Sequence, residues 1–292
     1  MEQSTESDIC TDPVIRDQWY PLRALAELPE GATHHTRLLG VPVSCGVTRG
    51  RPWARTESAP GDGGTGALPV IDTYGYLWTS LGEPPPGVFE IPEYTEPDRR
   101  SMNAGSFIVA TSAPRAVENF LDMGHFPYVH TGYLGIEPHT EVNPYDVEII
   151  DGEIWATRCE FFQPMAAATA TGGQMSKYTY RVPSPFAVML YKSSPVDPER
   201  RDVIALLLQP MGHEQVVAHN FLCLLDDVNS DAEIKRFQQI IFAQDKPILE
   251  NQIPRRLPLD PRAETPIRAD HTSIVYRRHL RELGVNYGVV PA

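Results

Sequence analysis

The sequence predicts an α+β fold: a β-rich N-terminal part followed by a larger part in which a curved antiparallel sheet grips helices. Three observations predict it. Residues 14–100 break into short β-type runs separated by turn residues and prolines. Beyond residue 101 the alternating runs become longer and recur almost to the C-terminus. Two apolar stripes at helical spacing flank those runs, and each carries titratable residues beside its apolar positions.

Taken in order, residues 1–13 read as a flexible tail, acidic at Glu2, Glu6 and Asp8 and without the charged-then-apolar pattern of a signal peptide. In 14–100 the expected strands are Thr36–Val43, Leu68–Asp72 and Tyr76–Trp78. Gly61–Gly66 reads as a mobile loop, and Pro84–Pro86 with Pro92–Pro97 as an extended linker. In 101–292 the expected strands are Ser106–Ala110, Asp146–Ile150, Glu153–Phe162, Lys177–Arg181, Phe186–Ser193, Val203–Gln209 and Val216–Leu225. The expected helices start at Pro114 and cover Asp231–Asn251 and Ser273–Leu283.

Composition bounds the function. A chain of 292 residues with 41% hydrophobic and 22% charged residues can bury a full core as one large or two modest domains. No run approaches the ~18 apolar residues of a membrane helix. Cys10, Cys45, Cys159 and Cys223 show no pairing pattern, which points to the reducing cytoplasm. A net charge of −13 argues against nucleic acid or an anionic membrane as partner and is compatible with a basic patch on a redox partner. There is no P-loop, dinucleotide fingerprint or G-x-S-x-G.

The segment Glu118–His130 is the most informative. Pro114 suits a first helical turn with Ser112 as cap, and Val117, Phe120, Leu121 and Met123 form its apolar stripe. Asn119, Asp122 and His125 are three apart, so the spacing places them on one helix face. Pro127 disfavours helix at Phe126, and a break there can bring His130 back to His125. Two imidazoles and one carboxylate on one side of a metal make the facial triad of non-haem Fe(II) oxygenases. Asp245, on the amphipathic stretch carrying Phe237, Ile240, Ile241, Ile248 and Leu249, is the candidate carboxylate; a solvent-facing position is the competing reading. Phe242, Ile248 and Leu249 share its face and could wall a pocket for a flat ring, plain core being the alternative, above all for Ile248. His34 and His35 are neighbours on a strand and point apart, while His213 and His219 lack paired spacing.

The pattern N-x-x-D-x-x-H-x-x-x-x-H on Asn119, Asp122, His125 and His130, with Gln244-Asp245 in a late helix, resembles the alpha subunit of the Rieske non-haem iron aromatic-ring-hydroxylating oxygenases, of the vanillate and dicamba O-demethylase type. Asp17–Leu22, Thr36–Gly40, Tyr74–Trp78, Leu257–Arg262 and Tyr276–Arg278 extend the likeness from about residue 16 to 288. The resemblance implies a helix-grip catalytic domain over 101–292 and a Rieske-like β domain over 14–100. It implies Fe(II) held by His125, His130 and Asp245, with O2 as co-substrate. It makes Asp122 the bridge that carries electrons to the iron, Asn119 a polar support, and a trimer the default assembly.

One departure matters. A Rieske [2Fe–2S] centre takes two Cys and two His, which the family supplies as C-x-H and C-x-x-H. No cysteine here is followed by His at either position, and no His lies between Leu39 and Tyr74. The expectation is a chain without its own cluster, its N-terminal domain a reduced remnant in which Gly61–Gly66 replaces the cluster loops. Electrons would come from NAD(P)H through a separate Rieske-containing reductase or ferredoxin. The cluster-less catalytic subunits of bacterial methylxanthine N7-demethylation are the branch it resembles most. That implies hydroxylation of an N-methyl (or O-methyl) group on a small aromatic ring, with release of formaldehyde. A non-catalytic scaffold subunit of a hetero-oligomeric oxygenase and a small-aromatic binding protein with a vestigial metal site are the alternatives.

Overall fold

The computed structural model describes residues 8–57, 66–165, 172–194, 196–197 and 199–292; of the expected Gly61–Gly66 loop, all but Gly66 lies outside these residues. Residues 8–13 correct the expected tail. Cys10 and Asp12 are buried, and the Cys10 N–H donates to the Leu39 carbonyl. Asp12 caps the short helix α1 (Pro13–Arg16) and accepts from the Asn286 N–H, tying the two ends of the chain together. Acidity alone suggested a solvated tail; a capping carboxylate has the same sequence signature.

The N-terminal part holds two three-stranded antiparallel sheets. One is formed by β1 (Tyr20–Ala24) with β5 (Val70–Thr73) and β6 (Tyr76–Thr79), the other by β2 (Thr33–Leu38), β3 (Val41–Thr48) and β4 (Arg51–Thr56). The expected strand Thr36–Val43 is in fact a hairpin that turns at Leu39 and Gly40, both at positive φ. Leu39 is fully buried, so apolar periodicity runs unbroken through the turn and hides it. Gly40 is required there: a Cβ would fall 2.2 Å from the Asp8 carbonyl oxygen.

The second part is one seven-stranded antiparallel sheet. It comprises β7 (Arg100–Val109), β8 (Asp146–Ile150), β9 (Glu153–Gln163), β10 (Gln174–Ser184), β11 (Ala187–Ser193), β12 (Arg201–Gly212) and β13 (Gln215–Leu224), in the order β7-β13-β12-β11-β10-β9-β8. Both faces of its centre are buried. Tyr74, Tyr76 and Trp78 of the N-terminal part pack with Met189, Ala205 and Phe221 on one face. Val188, Leu190 and Leu206 belong to the larger core that takes in the helices on the other. That double burial is why β11 reads as a continuous apolar run rather than an alternating one.

The helices on the inner face are α2 (Ala113–Leu121), the single turn α3 (Phe126–Val129), α4 (Asp231–Asn251) and α5 (His271–Leu283). The Ser112 hydroxyl caps α2, and Ser230 with Glu233 forms a capping box on α4. Phe242 of α4 stacks on Phe107 of β7 at 4.7 Å, which fixes α4 against the sheet. A two-stranded parallel pair, β14 (Leu257–Pro258) with β15 (Val289–Val290), closes the C-terminus. Among the described residues no helix is long and apolar enough to cross a membrane.

Candidate metal centre

Helix α2 ends at Leu121, about one turn short of where the spacing placed its end. Asp122 leaves helical geometry at φ −81°, ψ 123°. Asn119, Asp122 and His125 therefore do not share a helix face, and the break falls at Asp122 rather than at Pro127. Asp122 makes its own turn: Oδ1 accepts from the Gly124 N–H at 2.7 Å, and Oδ2 accepts from His125 Nδ1 at 2.9 Å. Pro127 is the second residue of α3, in the first turn, where its missing N–H costs nothing. His125 and His130 sit as the two caps of that single turn, and their Nε2 atoms come within 3.1 Å of one another.

The third group arrives from α4. Asp245 Oδ1 lies 3.0 Å from His130 Nε2 and 3.4 Å from His125 Nε2. Gln244, its neighbour, accepts from His130 Nδ1 through Oε1 at 2.9 Å. Ligand atoms of His125, His130 and Asp245 all fall within 4.8 Å of each other, the one such grouping among the described residues.

The protons can be assigned from the partners. A carboxylate and an amide oxygen only accept, so each imidazole carries its proton on Nδ1 and offers a lone pair at Nε2. Two lone pairs and a carboxylate oxygen then converge on one point, and Asp245 Oδ1, though buried, receives no hydrogen bond among the described residues. Such an arrangement calls for a cation. Burial opposes charge on His125, but the carboxylates of Asp122 and Asp245 beside it outweigh that and raise it to about 9. Burial likewise pushes Asp245 up, and the two imidazoles more than offset it, holding the carboxyl below its ordinary range. Two neutral imidazoles and one carboxylate suit Fe(II) and leave the remaining positions of the metal open.

A cavity of about 700 Å³, counting its open mouth, lies beside the triad and is lined by all three residues. Its helical side is apolar, with Phe120, Phe237, Ile241 and Phe242. Of the three residues expected to wall it, only Phe242 does so. Leu249 is in the core, and Ile248 is half exposed on a separate groove, because both lie a turn beyond Asp245 toward the end of α4. Asn119 lines both the cavity and that groove, and its carbonyl accepts from the Asp122 N–H. The groove also exposes the outer side of Asp122, with Arg115, Glu118, Glu264 and Arg277 around it. Sequence reasoning missed the opposite wall, where Gln163, Tyr178, Tyr180, Lys192 and Asn220 rise from the sheet. It also missed that Gln244 supports His130.

The fold and the three converging groups define a candidate mononuclear metal centre, and comparison with known proteins gives the family. Residues 109–285 match the vanillate O-demethylase oxygenase C-terminal domain. The chain belongs to the Rieske oxygenase alpha-subunit family, whose members are oxidoreductases. It is 47% identical over 276 residues to the probable methylxanthine N7-demethylase NdmC of Pseudomonas sp. (strain TJI-51), covering 94% of this chain and 96% of that one. It is 28% identical over 221 residues to methylxanthine N1-demethylase NdmA of Pseudomonas putida, covering 73% of this chain and 59% of that protein. Among solved structures, Pseudomonas putida CBB5 NdmA with caffeine superposes with a TM-score of 0.76 at 19% identity, over 91% of this chain and 90% of that one. Dicamba monooxygenase bound to dicamba gives 0.71 at 18% identity, over 92% and 97%. At these identities the structural likeness establishes the fold.

Proposed function

We propose that this chain is the iron-bearing component of an N-demethylase acting on a small methylated purine-type heterocycle, with its electrons delivered by a separate Rieske protein. The observation that carries this reading is the convergence of His125 Nε2, His130 Nε2 and Asp245 Oδ1 beside a cavity. A scaffold or a simple binding protein has no physical need of three lone-pair donors at one point, with two further side chains holding their tautomers. The 47% identity to a methylxanthine N7-demethylase favours an N-methyl over an O-methyl substrate.

In this reading His125, His130 and Asp245 hold Fe(II), which supplies reductive activation of O2. The cavity orients the ring so that its methyl carbon faces the metal. With two electrons and two protons, O2 yields one water and places the other oxygen on the methyl group. The resulting N-hydroxymethyl compound collapses to formaldehyde and the N–H product. Asp122 fixes the His125 ring through Nδ1 and turns its outer side to the groove, the surface through which the electrons arrive. No cysteine has a histidine at +2 or +3, which supports a chain without its own [2Fe–2S] cluster and an N-terminal β part retained as scaffold in a trimer-based assembly. Four buried thiols and the absence of any Cys pair are in keeping with work in the cytoplasm.

The test is anaerobic reconstitution with Fe(II), metal analysis and absorbance, then turnover of 7-methylxanthine with and without an added Rieske reductase. Stoichiometric iron, no iron–sulfur absorbance and formaldehyde only with the reductase are the expected results. A chain that retains no iron would sink the proposal in favour of the scaffold.

A further inference from the structure

We propose that the sheet wall of the cavity is a donor-rich recognition subsite, built on Lys192, Tyr180 and Asn220, that selects a ring lactam able to carry delocalised negative charge over its fully N-methylated analogue. The inference rests on the demethylase reading above and names what the pocket reads on its substrate.

The residues come together through register. Leu190 faces the cavity from β11, and Lys192 lies two residues along the same strand, on the same face. Across the β10–β11 ladder Tyr180 stands opposite Leu190, and Tyr178 opposite Lys192. Asn220 enters from β13. All are buried, Lys192 at 7%, Tyr180 at 1% and Asn220 at 2% exposure. The Tyr180 hydroxyl and Asn220 Nδ2 have no hydrogen-bonding partner among the described residues. A buried donor left unmade costs about 1–3 kcal/mol, so such groups in a ligand cavity mark where a ligand supplies the acceptors.

The chemistry of the donors defines the ligand. An amide N–H, a phenolic O–H and an ammonium all give hydrogen bonds, and together they call for carbonyl oxygens and negative charge. Burial lowers the Lys192 ammonium to about 8, with Asp202 opposing it, so it is largely cationic at neutral pH. A ring N–H flanked by carbonyls ionises to an anion spread over those oxygens; methylation of that nitrogen removes the option. An aromatic carboxylate offers similar acceptors, but the apolar side formed by Phe120, Phe237 and Phe242 fits a fused planar ring stacked between them.

The experiment is calorimetric titration of the full chain with 7-methylxanthine, caffeine and 4-methoxybenzoate, repeated on Lys192→Met and Tyr180→Phe. Wild type is expected to bind 7-methylxanthine at least about tenfold more tightly than caffeine, the scale of one hydrogen bond to a charged group. Lys192→Met should erase most of that difference, lowering the affinity for 7-methylxanthine far more than that for caffeine. Tyr180→Phe keeps the ring and the packing, so it should fold even where Lys192→Met does not, and should weaken 7-methylxanthine several-fold. Equal binding of the two purines by wild type, undiminished discrimination in Lys192→Met, or an unaltered Tyr180→Phe overturns the subsite and leaves the demethylase reading standing. Preference for 4-methoxybenzoate overturns both.

Discussion

Gln244 and His130 are joined by a 2.9 Å hydrogen bond from Nδ1 to Oε1, while the residue after Gln244, Asp245, lies 3.0 Å from the other nitrogen of the same ring. Helix α4 thus takes hold of one imidazole at both ends: Gln244 sets which nitrogen is protonated, and Asp245 stands at the one that is not, where the proposed function has the two share Fe(II). Loss of such a supporting bond typically costs about 10–100-fold in metal affinity or activity. Gln244→Leu is expected to weaken Fe(II) binding by that order, read by competition with a chelator, while the folded state measured by circular dichroism is unchanged. Equal iron retention in wild type and variant would remove Gln244 from the centre.

Asp122 holds the other imidazole but lies outside the triad. It therefore separates two roles that His125 combines. Asp122→Asn preserves size and a hydrogen bond to His125 Nδ1 and removes the charge facing the groove. The expected result is near-normal iron content with turnover down about 10–100-fold, and with single-turnover reduction of the iron by the Rieske partner slowed to match. Loss of iron in parallel with activity would show that Asp122 acts only as a support for the ligand.

Much of this was legible in the chain because the signals are local. Ser112 before Ala113-Pro114 caps α2 as expected, α4 covers the expected Asp231–Asn251, and Asp146–Ile150 forms the strand its alternation predicts. What could not be read depends on tertiary contact. The turn at Leu39–Gly40 is hidden because Leu39 is buried like a strand residue. The end of α2 at Leu121 is set by Asp122 bonding Gly124 and His125, which spacing alone cannot distinguish from one more helical turn. Lys192 and Asn220 read as ordinary strand residues until the register of β10 to β13 puts them on the cavity side.

Beneath the groove, four charges form a closed arrangement. Arg277 bonds Glu118 and Glu264, and Arg115 bonds the same two carboxylates. Both arginine side chains are nearly buried, at 2% for Arg115 and 9% for Arg277. Removing one member leaves an uncompensated charge, which costs about 3–5 kcal/mol. Arg277→Leu is expected to lower unfolding stability by about 3 kcal/mol in urea titrations, because it strands Glu118 beside α2 and the metal segment. Replacing Arg277 and Glu118 together by Leu and Gln should recover part of that loss. An additive double variant would show that the two side chains do not act as a pair.

Lys192 makes a prediction about stability that needs no substrate. Asp202 of β12 and Tyr178 of β10 stand opposite it in register, and of its own charge effects burial is the largest and lowers it to about 8 from 10.5. A base whose folded value is depressed destabilises the fold fully below that folded value, where it is charged in both states. The penalty fades as pH rises toward the unfolded value, because the unfolded chain then holds the proton that the folded one has released. Wild type should therefore gain about 2 kcal/mol relative to Lys192→Met between pH 7 and pH 10, with the two urea midpoints converging from the acid side. Burial raises the Asp202 carboxyl above its ordinary range, with the Leu225 N–H and the Lys192 ammonium opposing it. Parallel stability curves across that range would mean that the ammonium is solvated in the free protein, and that the cavity wall carries its charge at no cost to the fold.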